Sequence, residues 1–153
     1  MYPDGKFKPD HAVTRAEFVV MLMNALKMQE AGSELIFTDK AEIGAWAQKA
    51  VSQALQLGII KGCEDGTFGP NRNITRAEMA MMIAKTLKLP NEENAITSFR
   101  DDKEIPVWVK GAVAALKDNG IIQGTGTNQF NPRAETTRAE AATILLNMLD
   151  DLK

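Results

Sequence analysis

The stretch Thr75-Arg76-Ala77-Glu78 decides how this chain folds, because the same four residue types occur at three places. The other two copies are Thr14-Arg15-Ala16-Glu17 and Thr137-Arg138-Ala139-Glu140. Each copy has the pattern of a capping box, in which the Thr hydroxyl accepts a hydrogen bond from the backbone of the third helical residue. The Glu at that third position accepts one in return from the Thr backbone N–H. The pattern therefore predicts that a helix begins at each copy.

The capping box does not account for the arginine that follows each Thr, which is Arg15, Arg76 or Arg138. A positive charge at the start of a helix is unfavourable for that helix. The repeated arginine therefore indicates a task outside its own helix. Two hypotheses fit the spacing equally well. Each arginine binds an anion beside the helix start, or each pairs with an acidic neighbour and links one unit to the next.

The boxes are part of a longer repeat. Thr14 and Thr75 are 61 residues apart, and Thr75 and Thr137 are 62 apart. A second set of landmarks recurs 62 residues apart in two units only: Phe37 and Phe99, Asp39 and Asp101, Trp46 and Trp108, Gly58 and Gly120. This register indicates tandem duplication. We divide the chain into a first unit at 1–30 with a back half only, a second unit at 31–92 and a third at 93–153.

Hydrophobic spacing predicts an all-α fold. Three nearly all-apolar segments predict buried helices that form a central three-helix bundle: Ala16 to Met28, Met79 to Leu89, and Ala141 to Leu149. One-sided apolar spacing predicts a front-half helix from about Glu42 to Leu57, and an equivalent helix in the third unit whose apolar face runs from Ile105 to Leu116. Gly58 and Gly120 are expected to end these helices in a left-handed conformation. Because the first unit has no front half, we expect the helix from Ala16 to lack a covering partner.

Composition excludes several classes of protein. The 153 residues are 44% hydrophobic and 25% charged, which is typical of a globular chain. A net charge of −2 and a pI near 5.5 argue against general attraction to nucleic acid or to an anionic membrane. The longest apolar run is too short for membrane insertion. No signal peptide is recognised, because the N-terminus resembles a loop.

The residues that carry chemistry are sparse. Cys63 is the only cysteine, so neither an intrachain disulfide nor a cysteine metal cluster is expected. No pattern of metal ligands or cofactor-binding residues is recognised, and we expect no cofactor. The sequence also lacks a paired acid–base constellation, a nucleophile motif and a phosphate-binding loop. We therefore expect a protein that is not an enzyme.

Several motifs in a fixed order resemble the S-layer homology module. They are Phe-x-Asp, a Trp seven residues after that Asp, Gly-Ile-Ile-x-Gly, Asp-Gly-x-Phe-x-Pro, and Thr-Arg-Ala-Glu. The resemblance covers nearly the whole chain, as two full copies and one half copy. It implies a pseudo-threefold arrangement of modules that binds secondary cell wall polysaccharide, often pyruvylated, in grooves between units. Such modules anchor surface proteins and extracellular enzymes non-covalently, so the implied location is the extracellular cell wall or S-layer.

The resemblance also implies which residues bind the polysaccharide. In the family the box arginine contacts the anionic sugar, and the glycine after Ile-Ile-x lets the ligand approach the backbone. The matching positions, together with the acids and tryptophans of the front halves, are Arg15, Arg76, Arg138, Asp39, Asp101, Trp46, Trp108, Gly62 and Gly124. The chain departs from the pattern where Cys63 and Thr125 replace the aromatic residue that Tyr2 supplies in the first unit.

Other interpretations of these residues are open. Trp46 and Trp108 lie on apolar helix faces, which favours core packing over stacking on a sugar. Asp39 and Asp101 precede helices, where they alternatively act as caps. The competing function is a structural or oligomerising module whose repeat faces pair with other protein chains. In that case the incomplete first unit is the expected place for a homo-oligomer contact.

Overall fold

The computed structural model describes residues 11–61, 65–124 and 126–152. Their regular structure consists of five α-helices and two 3₁₀ turns. The helices are α1 (Arg15–Leu26), α2 (Ala45–Gln56), α3 (Arg76–Leu87), α4 (Val107–Asp118) and α5 (Arg138–Asp151), and the 3₁₀ turns are Lys40–Glu42 and Asp102–Glu104. Within these ranges the only β pairing is three isolated bridges. The all-α prediction is confirmed.

The three predicted capping boxes all form. The Thr75 hydroxyl accepts from the Glu78 backbone N–H at 3.1 Å, and the Thr75 N–H donates to Glu78 Oε1 at 2.9 Å. The boxes at Thr14 and Thr137 have the same two bonds. Two backbone donors at the start of α1, α3 and α5 are thereby satisfied within four residues, which is why the sequence pattern locates these helix starts so closely.

The segments just before the three boxes hydrogen-bond in a closed cycle. The Val13 N–H donates to the Thr136 carbonyl at 2.9 Å, Thr136 N–H to the Ile74 carbonyl at 2.9 Å, and Ile74 N–H to the Val13 carbonyl at 2.8 Å. All three residues are fully buried. The back halves of the three units therefore meet around one point, at the N-terminal ends of α1, α3 and α5.

The front-half helices begin later than predicted. The helix expected from Glu42 begins at Ala45, because a 3₁₀ turn at Lys40–Glu42 and the extended Gly44 come before it. Their ends are as predicted: Gly58 has φ +76° and Gly120 has φ +73°, in the left-handed region. Of the described helices, none has the length and apolar character required to span a bilayer.

Each front-half helix covers the back-half helix of the unit before it, so that α2 packs on α1 and α4 packs on α3. The expectation that the helix from Ala16 lacks a partner is therefore wrong. The helix left without an equivalent cover among the described residues is α5. The ninth residue after the capping Thr shows the difference, since Met23 and Ala84 are 2% exposed and Leu146 is 64% exposed.

Candidate functional site

Each box arginine reaches out of its own helix to the glutamate of another box. Arg15 Nη1 donates to Glu78 Oε2, and Arg76 Nη1 donates to Glu140 Oε2. Arg138 Nη1 lies 3.8 Å from Glu17 Oε2, which closes the cycle. The arginines are only 6%, 6% and 7% exposed, respectively. These contacts are those of the second sequence hypothesis, in which the arginines link one unit to the next.

The buried arginines also bind the loop that precedes the partner's box. Arg15 Nε donates to the Phe68 carbonyl at 2.8 Å, and its guanidinium carbon lies 5.1 Å from the centre of the Phe68 ring. Arg76 has the same relationship to Phe130: its Nε donates to the Phe130 carbonyl at 2.6 Å, and its guanidinium carbon lies 5.2 Å from the centre of the Phe130 ring. Burial lowers the pKa of the Arg76 guanidinium, while the charge of Asp101 acts in the opposite direction. An arginine stays protonated in proteins even so, so a full positive charge is held at each site.

Asp39 and Asp101 hold those same loops from the other side. The two oxygens of Asp39 accept from the backbone N–H groups of Phe68 and Gly69, both at 2.9 Å. Asp101 accepts from Phe130 and Asn131 at 2.9 and 2.8 Å. Neither aspartate side chain hydrogen-bonds to the turn that it precedes. The interpretation of these residues as helix caps is wrong, because their carboxylates are turned toward a loop about 30 residues further along.

Trp46 and Trp108 lie at the surface. They are 61% and 51% exposed, so the core-packing interpretation is wrong. The fully buried residues of α2 include the smaller Ala47 and Val51, whereas the larger indole of Trp46 is left at the surface. The indole of Trp46 lies over Gly44, where an added Cβ would come within 2.3 Å of its nitrogen.

The larger cavity lies between α3, α4 and the loop at Ile59, and we call it the α3–α4 cavity. It measures about 430 Å³, and its wall combines apolar side chains with a few polar and charged ones. Those polar, charged and aromatic residues are Arg15, Lys61, Glu78, Lys85, Asn91 and Trp108. A concave wall of this composition suits a small polar ligand with an apolar face.

Asn91 holds Trp108 at the mouth of this cavity. Its side-chain amide donates to the Trp108 carbonyl at 2.8 Å and accepts from the Ala112 N–H at 2.9 Å. An α-helix normally joins such a carbonyl and N–H, four residues apart, to each other. Asn91 therefore connects the linker after α3 to the turn of α4 that carries the indole.

A second cavity, the α5 cavity, lies beside α5 and measures about 310 Å³. Most of its wall comes from positions that match those of the first cavity, namely Arg76, Ile121, Gln123, Glu140, Thr143, Ile144 and Asn147, and Gly124 and Ala139 complete it. It has no tryptophan in its wall, because no described helix covers α5 as α4 covers α3. Gly124 lines this cavity, whereas its counterpart Gly62 lies outside the described residues.

The structure thus brings only some of the predicted site residues together. Arg15 and Trp108 line the α3–α4 cavity, and Arg76 and Gly124 line the α5 cavity. Neither cavity is lined by Arg138, Asp39, Asp101 or Trp46. In the part of the chain that the structure describes, no three His, Cys, Asp or Glu side chains are grouped as metal ligands.

Sequence reasoning missed the two lysines of the α3–α4 cavity. Lys61 occupies the variable place in Gly-Ile-Ile-x-Gly, and Lys85 lies in the last turn of α3. Burial, followed by the charge of Lys61, lowers the pKa of Lys85 from its ordinary 10.5. A signal was available, because Lys85 is seven residues after Glu78, on the same helical face.

Comparison with known proteins identifies the repeat. The family model of the S-layer homology domain matches residues 2–19, 36–80 and 98–142. The chain is 41% identical over 152 residues, 96% of its length, to the exoglucanase XynX of Acetivibrio thermocellus. It is 38% identical over 104 residues, 68% of its length, to the S-layer protein EA1 of Bacillus anthracis. It is 34% identical over 155 aligned residues, 97% of its length, to a cellulosome-anchoring protein of Acetivibrio thermocellus.

The chain spans only a small part of each of these proteins. It covers 14% of the exoglucanase, 12% of the S-layer protein and 34% of the cellulosome-anchoring protein. The shared region is therefore a module that occurs in proteins of different named functions.

Proposed function

The chain belongs to the S-layer homology domain family, and from this premise we propose that it anchors a larger protein to the wall by binding an anionic secondary cell wall polysaccharide. Its location is the bacterial cell surface, in the wall or S-layer. Anchoring at that surface is supported by the family, by a relative named as an S-layer protein and by one named as a cellulosome-anchoring protein. The polysaccharide, its pyruvate groups and the contact residues are our proposal.

The observation that carries the proposal is the wall of the α3–α4 cavity. A half-exposed indole, Trp108, and three cationic side chains line the same space of about 430 Å³. The apolar C–H face of a pyranose ring packs against an aromatic ring, while a carboxylate on the same sugar pairs with a cation. Both features of an acidic sugar are therefore matched within one cavity.

The predicted ligand residues take different roles in this proposal. Trp108 stacks on the sugar, and Arg15 contributes one edge of its guanidinium to the cavity wall while it pairs with Glu78. Arg76 and Gly124 take the corresponding places in the α5 cavity. Arg138, Asp39 and Asp101 support the architecture, since their charged groups hold another unit or a loop. Trp46 is the counterpart of Trp108 for any groove formed beside α1.

Replacement of Trp108 tests this function. Trp108→Ala removes the stacking surface without touching an ion pair, and we expect most retention on purified wall polysaccharide to be lost while the helical circular dichroism signal is kept. Val107→Ala is the matched control, because Val107 is 71% exposed on the same helix and lines neither cavity. Retention of Trp108→Ala equal to that of the control would reject the proposal.

Relatives named as enzymes fit the same function. The chain matches 14% of the exoglucanase and 8% of an amylopullulanase of Thermoanaerobacterium thermosulfurigenes. We propose that their catalytic activities lie in the remainder of those proteins and that this module only holds them at the wall. Incubation of the chain with purified wall polysaccharide should therefore release no fragments, and any cleavage would contradict the assignment.

One observation favours a second candidate, a module that pairs with other chains. Leu146 on α5 is 64% exposed at the position where the other back-half helices are covered. A contiguous apolar patch around this position would mark a contact surface. If copies of the chain pair there, sedimentation equilibrium should show concentration-dependent association that Leu146→Lys removes. A monomer at every concentration would eliminate this candidate.

A further inference from the structure

The two cavities differ at two matching positions. Lys61 and Gln123 each lie three residues after the glycine that ends a front-half helix. Lys85 and Asn147 each lie ten residues after a capping Thr. All four side chains line a cavity. The same part of the wall therefore carries two ammonium groups in the α3–α4 cavity and two neutral amides in the α5 cavity.

This difference sets the charge of each cavity. The described residues that line the α3–α4 cavity include three cations and one carboxylate, so its net charge is +2. The cations are Arg15, Lys61 and Lys85, and the carboxylate is Glu78. The wall of the α5 cavity has one arginine and one glutamate, which cancel. Glu78 is moreover already paired with Arg15 and with Arg72. It is therefore poorly placed to neutralise the lysines as well.

The lysine charges are not compensated within the described ranges. Neither Lys61 nor Lys85 takes part in a salt bridge there. Burial and the charge of Lys61 lower the pKa of Lys85, which means that the two ammonium groups disfavour each other. An anion placed between them would remove this repulsion and would regain the electrostatic energy that burial of Lys85 costs.

We propose that Lys61 and Lys85 select the acid group of the glycan, so that the α3–α4 cavity is the acid-binding site and the α5 cavity takes sugar without selecting an acid. This inference rests on the proposed function and adds its specificity. A carboxylate between the two ammonium groups makes charge-assisted hydrogen bonds with both. At the two matching positions the α5 cavity offers the amides of Gln123 and Asn147 in place of the ammonium groups, and Asn147 already donates to the Ile121 carbonyl at 3.1 Å.

An exchange of side chains between the cavities tests the proposal. The double variant Lys61→Gln/Lys85→Asn gives the α3–α4 cavity the residues of the α5 cavity, and Gln123→Lys/Asn147→Lys does the reverse. Each is titrated calorimetrically with purified wall polysaccharide, either intact or after mild acid has removed its pyruvate ketals. Loss of a charged hydrogen bond costs about tenfold in affinity or more. The first variant should therefore lose roughly 100-fold in affinity for the intact polysaccharide. Its affinity for the polysaccharide without pyruvate should be unchanged.

The reverse variant should gain a second equivalent of acid-dependent binding per chain. An equal loss of affinity for both materials in the first variant, or no loss for either, would overturn the assignment to the lysines. If the first variant loses its helical signal, the test rests on the reverse variant alone. A reverse variant that gains no acid-dependent binding then overturns the assignment. A wild-type chain that binds neither material would instead refute the proposed function. If the wild type binds and the first variant binds with the same affinity, the role of the two lysines is refuted while the proposed function is not.

Discussion

The carboxylate of Asp101 accepts a 2.9 Å hydrogen bond from the backbone N–H of Phe130, 29 residues further along the chain. The carbonyl of Phe130 in turn accepts a 2.6 Å bond from Arg76 Nε. One residue of a loop therefore joins a carboxylate of the third unit to the buried guanidinium of the second. The same chain of bonds recurs from Asp39 through Phe68 to Arg15, so it is a general connection between units.

Replacement of that carboxylate by an amide should weaken the connection. In Asp101→Asn, an oxygen that accepted from Phe130 or Asn131 becomes an NH₂ donor, which faces a backbone donor. We expect a loss of about 1–3 kcal/mol in the free energy of unfolding, because a buried donor is left without an acceptor. Urea denaturation followed by circular dichroism measures it. Asp118→Asn, at an exposed position on α4, is the control, and equal stability of the two variants would contradict this account.

Removal of a box arginine should lower the free energy of unfolding by more than Asp101→Asn does. Arg76→Ala takes the positive charge from Glu140 and the donor from the Phe130 carbonyl at once. Loss of one partner from a buried pair costs roughly 3–5 kcal/mol. The side chain of Glu140 is 35% exposed and can be hydrated, so we expect the lower end, about 3 kcal/mol. The midpoint of thermal unfolding should fall accordingly, whereas exposed Arg100→Ala should change it little.

This prediction changes how an arginine variant is interpreted in a binding experiment. If Arg76→Ala loses retention on wall polysaccharide, the loss reports ligand contact only when the variant is folded at the assay temperature. Retention should therefore be measured well below its unfolding midpoint. If Arg76→Ala is as stable as Arg100→Ala, the pair with Glu140 contributes nothing to stability. That result would contradict the role of the arginines in linking the units.

The parts of the fold that were predictable from sequence depend on contacts within a few residues. Thr75 and Glu78 identify a helix start because the capping box closes over three residues. Gly58 identifies a helix end because its φ of +76° is strained for other residues. Apolar periodicity likewise identifies which segments are helices. It does not report which helices meet.

The features that sequence did not predict depend on the docking of one unit onto another. The second oxygen of Glu78 binds Arg15, which is 63 residues away. Trp108 is half-exposed in the wall of a cavity whose other residues include Met82 and Lys85 of α3. Lys85 becomes a cavity residue only because α4 forms the opposite wall. Each of these relationships joins two units, and a pattern within one unit carries no information about it.

Asn91 provides a test of how Trp108 is positioned. In Asn91→Ala, the Trp108 carbonyl and the Ala112 N–H both lose a side-chain partner, so the turn of α4 that carries the indole should loosen. We expect a red shift of Trp108 emission, observed in a Trp46→Phe background that leaves one tryptophan. Stability should fall by about 1–2 kcal/mol. Asn94→Ala, an exposed position of the same linker, is the control, and identical emission spectra would exclude the positioning role.

The turn before α4 should make stability depend on pH. The Asp102 carboxylate accepts from the Thr97 N–H and hydroxyl, both at 2.7 Å, and from Lys110 Nζ at 3.2 Å. Burial acts to raise the pKa of Asp102, but these hydrogen bonds outweigh it and lower that pKa below the ordinary 3.8. A carboxyl whose pKa is lower in the folded state stabilises the fold above its unfolded pKa. That contribution is lost as the pH falls through the folded value.

The variant Asp102→Asn has no charge to lose and should therefore respond less to acid. The difference in unfolding free energy between wild type and variant should be constant from about pH 7 to about pH 5, and should narrow below about pH 4. Glu104→Gln removes an exposed charge from the same turn, so a comparison of the two profiles isolates the contacts of Asp102. A difference that is as large at about pH 3 as at neutral pH would show that these contacts do not favour the charged carboxylate.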